Sequence, residues 1–308
     1  MICAILGLVF VGSSWTLVGV VMGSAPKKGL APETVQFFGS LIPITLGLTF
    51  LHLGTFGEIN WSGAAAHKAV LFYGLSSFLN FWLMQLMSMA MQRGPNGIIW
   101  SFTQAGMMLT FLYGVIFQND IVTWVRILGL IVLLTALLLL GLARDNSYDN
   151  KNKTWLWMAC GCFLLCGSNQ ILAMIPTYDE AVRSEFHSVA RSVVISSTTM
   201  MLATSRNIIR NKGTFLEKLK ASVSNKYLWI FVGAQQFFAL ISAYFIQYKC
   251  LDYLSAHNLG SAGYPILVAS CLAGFSIYSI FGLKEKTSLI QKIGLLFCIL
   301  GIILICIK

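Results

Sequence analysis

Ionisable side chains are what this chain has least of. Only 10% of its 308 residues are charged, and Asp and Glu together number 11. A soluble domain carries about 25% charged residues, so a water-facing surface of ordinary composition is excluded. The scarcity also removes most enzyme classes. The sequence contains no His-Glu-x-x-His, no Gly-x-Ser-x-Gly, no phosphate-binding loop and no carboxylate pair within an apolar run. Metal chemistry lacks ligands as well. Of the 8 cysteines, Cys160, Cys162 and Cys166 lie close together but have no His or carboxylate beside them, and they read as small packing residues. Of the 4 histidines, His52, His67 and His257 stand at the ends of apolar runs, where water reaches. No catalytic residue, metal or cofactor is expected, and the chain does not read as an enzyme.

What is present is apolar surface. Apolar residues make up 57% of the chain, gathered in runs of about 20 residues, the length a helix needs to cross a hydrocarbon core. Ten runs are expected to span: 2–22, 35–53, 69–91, 96–118, 124–142, 154–174, 185–205, 228–248, 259–281 and 288–307. Each must be helical, because an unpaired backbone amide in lipid costs several kcal/mol. The run 185–205 is the least apolar, since it holds Glu185, His187, Arg191 and a Ser/Thr stretch. The first run has no basic segment before it and no cleavage site ahead of Lys27, so it reads as a span rather than a signal peptide.

The net charge of +10 sits in the short connections, so it reads as orientation rather than as a nucleic-acid footprint. Most Lys and Arg fall after odd-numbered runs, whereas only Lys68, Arg183, Lys249 and Lys308 fall after even-numbered ones or at the C-terminus. The bias predicts an integral plasma (inner) membrane protein, multi-pass, with both termini outside the cytoplasm.

One stretch occurs twice. Arg93–Phe117 carries a Gly94-Pro95-Asn96-Gly97 turn and an apolar helix, followed by Asn119, Asp120 and a short helix with Gly129. His257–Phe281 carries Gly260-Ser261-Ala262-Gly263, an apolar helix, then Lys284-Glu285-Lys286 and a short helix with Gly294. Likewise Gly12-Ser13-Ser14 has a counterpart in Gly167-Ser168-Asn169. The fold expected is an all-α integral membrane protein of ten transmembrane helices in two five-helix repeats, 1–143 and 154–308, joined by a polar linker, 144–153. An odd number of spans per half turns the second half over, which makes the repeat inverted and puts a site near the midplane.

Polar groups within a span face the bundle interior or a wet cavity. At helical spacing they give Asn80 and Gln85 in the third run, Trp100 and Gln104 in the fourth, Gln236, Tyr244 and Gln247 in the eighth and Tyr264 in the ninth. Asn169 and Gln170 stand in the sixth. Amides and aromatics without paired carboxylates suit a neutral, hydroxyl-rich solute, since an amide both donates and accepts and a ring stacks on a sugar face. The plainer reading of each amide is interhelical glue. Glu185, His187 and Arg191 are candidates for proton coupling, with Arg191 otherwise snorkelling to the interface beside Glu185.

These features resemble the drug/metabolite transporter superfamily: ten spans in two halves, and an acidic residue after a long span followed by a short Gly-containing helix (Glu285, then Gly294 and Gly301). Within it the chain is most similar to the L-rhamnose–proton symporter family. The matching pieces are Ala25-Pro26-Lys27-Lys28 with Glu33-Thr34, the turn from Met89 to Gly97, Gln247, and Leu283-Lys284-Glu285. Pro95 departs from the small residues expected there. The resemblance implies proton-coupled uptake of a sugar by alternating access, with a small-molecule solute and protons as partners in a lipid bilayer and no nucleic acid. It carries Gln247, and less closely Gln85, into the binding site. The alternative is a drug, metabolite or amino-acid exporter of the same superfamily. An intramembrane enzyme or scaffold is the reading from another class.

Overall fold

The computed structural model describes residues 1–54, 59–94, 96–142, 154–235, 243–281 and 289–306. The linker 144–153, Pro95, Gln236 and the Leu283-Lys284-Glu285 segment lie outside the described residues. Every regular element described is helical: α1 (Ile2–Ser24), α2 (Pro32–His52), α3 (Ala64–Met91), α4 (Asn96–Gln104), α5 (Met107–Phe117), α6 (Trp124–Leu142), α7 (Thr154–Met174), α8 (Glu180–Glu185), α9 (Ser188–Asn211), α10 (Phe215–Val223), α11 (Lys226–Gly233), α12 (Tyr248–Ala256), α13 (Gly263–Phe281) and α14 (Leu289–Cys306).

Five segments are long and apolar enough to cross a membrane: Ile2–Ser24, Pro32–His52, Ala64–Met91, Ile99–Phe117 and Thr154–Tyr178. Three shorter apolar helices accompany them, at Trp124–Leu139, Gly260–Gly274 and Lys292–Ile305. Their outward faces carry bare apolar side chains such as Leu6, Phe10, Leu48, Leu138 and Leu164. A surface of that kind is stable only against another apolar phase, as in a membrane protein.

Local chemistry sets the breaks. After α1 a 3-10 turn, Pro26–Lys28, ends at Gly29, whose φ of 73° is open to glycine and unfavourable for other residues. Pro32 then starts α2 where its missing N–H is harmless. The run read as one span over 185–205 is two elements. Asp179 caps α8 by accepting from the amides of Ala181 and Val182, so that helix begins early and ends at Glu185. The backbone is extended at Phe186 and His187, and α9 starts afresh at Ser188. Glu185 and His187 therefore precede the long helix rather than lying within it. In the run 228–248 the described residues include α11 and a π turn over Ala243–Gln247 that leads into α12, while 236–242 lie outside them.

Glycines mark the close crossings. A Cβ on Gly12 of α1 would stand 2.2 Å from the Leu267 carbonyl oxygen of α13. A Cβ on Gly167 of α7 would stand 2.9 Å from the Gly106 carbonyl oxygen, at the break between α4 and α5. Gly129 of α6 would meet Ile305 of α14 at 2.9 Å, and Gly301 would meet Leu133 at 2.5 Å. Small residues let backbones approach where water does not drive association. Around these seams α3 packs on α7 and α9, α2 on α9 and α11, and α12 with the π turn on α1.

Candidate functional site

The helices enclose a central cavity of about 260 Å³, room for a solute of a few polar groups. Five of the eight residues expected to bind solute line it: Asn80, Trp100, Gln104, Gln247 and Tyr264. Asn169 and Gln170 line it too. Gln85 does not. It lies one layer behind, where its amide nitrogen donates to the Gln36 side-chain oxygen at 2.8 Å, and Gln36 is the residue at the wall. Gln236 lies outside the described residues, as does the side chain of Tyr244, whose backbone is in the π turn.

Hydrogen bonds tie wall residues to one another and, through Thr110, to the layer behind. Ser76 donates to the Asn169 side-chain oxygen at 2.6 Å, and Thr110 to that of Gln170 at 3.0 Å. Ser77 donates to the Ile195 carbonyl at 2.7 Å and lies 2.8 Å from the Thr199 hydroxyl. The Trp100 indole lies against Gly19, where a Cβ would come within 3.0 Å of the ring. Among the described residues, none that lines the cavity is an Asp, Glu, His, Lys or Arg. Fixed amides and rings of this kind orient a neutral polar molecule without the large desolvation penalty of a charge.

Gln36 and Gln235 were not legible as wall residues, although Gln36 and Ser40 stand four apart on α2 and Ser40 donates to the Gln36 carbonyl. Tyr248 is the other addition, on the first turn of α12.

The three coupling candidates do not come together as expected. Arg191 is fully buried, not snorkelling, and its ion-pair partner is Asp252 of α12 at 2.7 Å rather than Glu185. It also donates through Nε to the Phe186 carbonyl at 2.8 Å and through a terminal nitrogen to the Val182 carbonyl at 3.1 Å. The reason is the break at Phe186–His187, which turns two carbonyls toward the guanidinium and leaves Glu185 exposed at the end of α8. His187 is partly buried at the start of α9. None of the three lines the cavity, yet the guanidinium is 5.7 Å from the ring centres of both Tyr73 and Tyr248, and Tyr248 is wall.

The same end of the molecule carries a clasp. Asp120 accepts from the Tyr178 hydroxyl at 2.6 Å and from the Ser261 amide, while Thr177 and Ser255 share a hydrogen bond at 2.8 Å. Lys68 pairs with Asp179, and this hydrogen bond, aided by the capped amides of α8, holds the Asp179 carboxyl below the usual carboxylate range against a smaller opposing effect of burial. At the other end Arg210 of α9 pairs at 2.7 Å with Glu33, which is buried. Among the described residues, no group of His, Cys, Asp and Glu is arranged to hold a metal.

No family model and no curated protein matches this chain. A solved structure described only as "Crystal structure of protein" superposes over 98% of this chain and 97% of its own, with a TM-score of 0.68 at 11% identity. At that identity the likeness is one of fold alone: the whole chain follows an architecture already seen in a crystal.

Proposed function

We propose that this protein is a secondary active transporter which carries a small, neutral, polar solute by alternating access, as a proton-coupled importer of an L-rhamnose-like monosaccharide. The observation that carries the reading is the central cavity, walled by amides, hydroxyls and rings and, among the described residues, by no Asp, Glu, His, Lys or Arg side chain. An exporter of organic cations would want a carboxylate in that wall.

Two inverted halves are the architecture this function needs, and the packing supports them. Exchanging the halves exchanges α1 with α7, α2 with α9, α6 with α14, and the α4–α5 pair with α13. The seam of α1 on α13 then becomes the seam of α7 on α4 and α5, while α2–α9 and α6–α14 map onto themselves. The directions agree. α2 turns back on α1, and α9 runs against α2, with Asn207 near Thr34 and Arg210 near Glu33. α3 runs along α9, with Ser77 at Ile195 and Trp82 at Arg206. α7 runs against α3, with Asn169 at Ser76 and Gly161 at Leu86. Hence α7 runs opposite to α1, as its inverted counterpart should. The charge bias supports an orientation with the α8–α12 face outside a plasma membrane.

The test is uptake by proteoliposomes of a panel of labelled neutral sugars, with an interior pH dye. The expected result is saturable, sugar-dependent acidification. Uptake of no sugar, with uptake of an amino acid instead, would replace the solute class, and uptake without acidification would remove the coupling.

A further inference from the structure

Arg191 has three anchors, and only one of them can change its charge. The carbonyls of Phe186 and Val182 hold two arms of the guanidinium whatever the pH. The third arm holds Asp252, whose side chain keeps 19% of its surface exposed while that of Arg191 keeps none. Water on this face therefore reaches the carboxylate but not the arginine. Asp252 also sits four residues after Tyr248, on the same side of α12, so the ion pair and the cavity wall share one short helix. Between pair and cavity there is one layer of aromatic side chains, Tyr73 against Tyr248 with ring centres 5.4 Å apart.

We propose that Asp252 is the proton-binding group of the transport cycle, and that Arg191 is its release partner. The inference rests on the transporter reading above. With the carboxylate ionised, the pair draws α12 against α9 and closes the cavity on this face. A proton from water adds to a carboxylate oxygen, the charge attraction is lost, and the neutral carboxyl is no longer bound to its place. The guanidinium keeps its proton, its two carbonyl acceptors and the rings of Tyr73 and Tyr248 beside it. It is left without a counter-charge, a cost that favours rearrangement of this face over a static broken pair.

The groups around Asp252 fit a site that has to reionise. Arg191 faces it from α9, Arg183 from α8 and Tyr73 from α3, with Tyr248 on its own helix. His187 and Lys249 lie within electrostatic reach of one another, with Arg191 near His187. The Met1 ammonium bonds the Tyr253 hydroxyl at 3.2 Å, one residue along α12. The Asp120 carboxylate belongs to the clasp, where it accepts from Tyr178 and Ser261. This face also carries Glu180 and Glu185 on α8, and Asp179 paired with Lys68; the charges of Arg191 and Arg183 are the ones that favour the ionised Asp252 once its proton can leave.

Cys166 gives the readout, because it lines the cavity and is buried, whereas Cys3 is exposed. Purified protein in nanodiscs, without solute, is treated with a small polar thiol reagent, and labelling of Cys166 relative to Cys3 is followed by mass spectrometry. From about pH 8 to about pH 5 the ratio should rise roughly tenfold in the wild type, as the closed population gives way. In Asp252→Asn it should be high at both ends. A flat wild-type ratio, or an Asp252→Asn ratio that still follows pH, overturns the proposal. Should Asp252→Asn fail to fold, Arg191→Lys decides: it weakens the pairing and moves the midpoint to higher pH, and an unmoved midpoint overturns the proposal. Because no solute is present, these outcomes stand apart from failure of the transport reading, which shows as absence of uptake.

Discussion

A single amide in a membrane-embedded wall has two possible employments, and the cavity separates them. Gln85 spends its donor on Gln36 and never reaches the cavity, so it is a positioning residue. Gln104 and Gln247 are buried wall residues. Replacing either by Ala should weaken binding of the solute proposed above by about tenfold, the loss of about one hydrogen bond. The melting temperature of the solute-free protein should move little. Calorimetric titration beside a thermal melt reads both, and a large drop in melting temperature with unchanged affinity would mark the residue as glue. Asp179 tests a different residue-scale point. Its carboxyl is held below its ordinary value by Lys68 and the α8 amides, so its contribution is present above the unfolded carboxylate value of about 3.9 and is lost as pH falls through the lower folded one. Asp179→Ala should lose about 1 kcal/mol of cap stability at neutral pH. The gap between it and the wild type should close in acid melts.

At the scale of the element, α9 matters most. It is the least apolar of the long helices, and an ion pair fastens it near each end: Arg191 with Asp252 and Arg210 with Glu33. The two pairs differ in kind. Arg191 is wholly buried, whereas in the second pair the buried partner is the carboxylate and the arginine side chain is 60% exposed. Removing Arg210 therefore strands Glu33, and Arg210→Ala should destabilise by about 1–2 kcal/mol, tempered by the water around the arginine. Glu33→Gln should cost less, and adding it to Arg210→Ala should recover stability in a double-mutant cycle of chemical melts. Two additive losses would show that the pair is not coupled. The glycine seams make a second element-scale prediction. A Cβ on Gly167 would meet Leu109 at 2.6 Å and the Gly106 carbonyl at 2.9 Å. Gly167→Leu should separate α7 from α4 and α5 and destabilise by about 1–3 kcal/mol or more. By contrast Gly233→Ala meets nothing within 4 Å and should be neutral in the same melts.

For the whole molecule, the sequence was most readable where one helix alone decides the answer. Apolar runs located α1, α2, α3 and α7 within a few residues, because hydrophobicity and length are properties of a segment. The small residues at Gly12 and Gly167 pointed to close crossings, although not to which helices cross. Cavity amides at helical spacing within their own runs, Asn80 in the third and Gln104 in the fourth, are visible from the sequence. What could not be read was pairing across the chain. Asp252 lies 61 residues beyond Arg191 and outside any run taken as a span, while Glu185 was near in sequence and was assigned the role. The cap at Asp179 defeats that assignment by starting a separate helix. Gln36 likewise depends on a partner distant in the chain: Gln85 of α3, 49 residues on, donates to its side-chain oxygen at the wall.

The seam between α1 and α13 also has a consequence in time. Thr16 donates to the Cys271 carbonyl across 255 residues of chain. At a synthesis rate of about 5–20 residues per second, the first helix is made roughly 10–50 s before its neighbour exists. Until then its notched face at Gly12 has only lipid or the insertion machinery for company. A segment made well before its neighbour is thus late to find its permanent place, and a ribosome halted after α12 leaves it waiting.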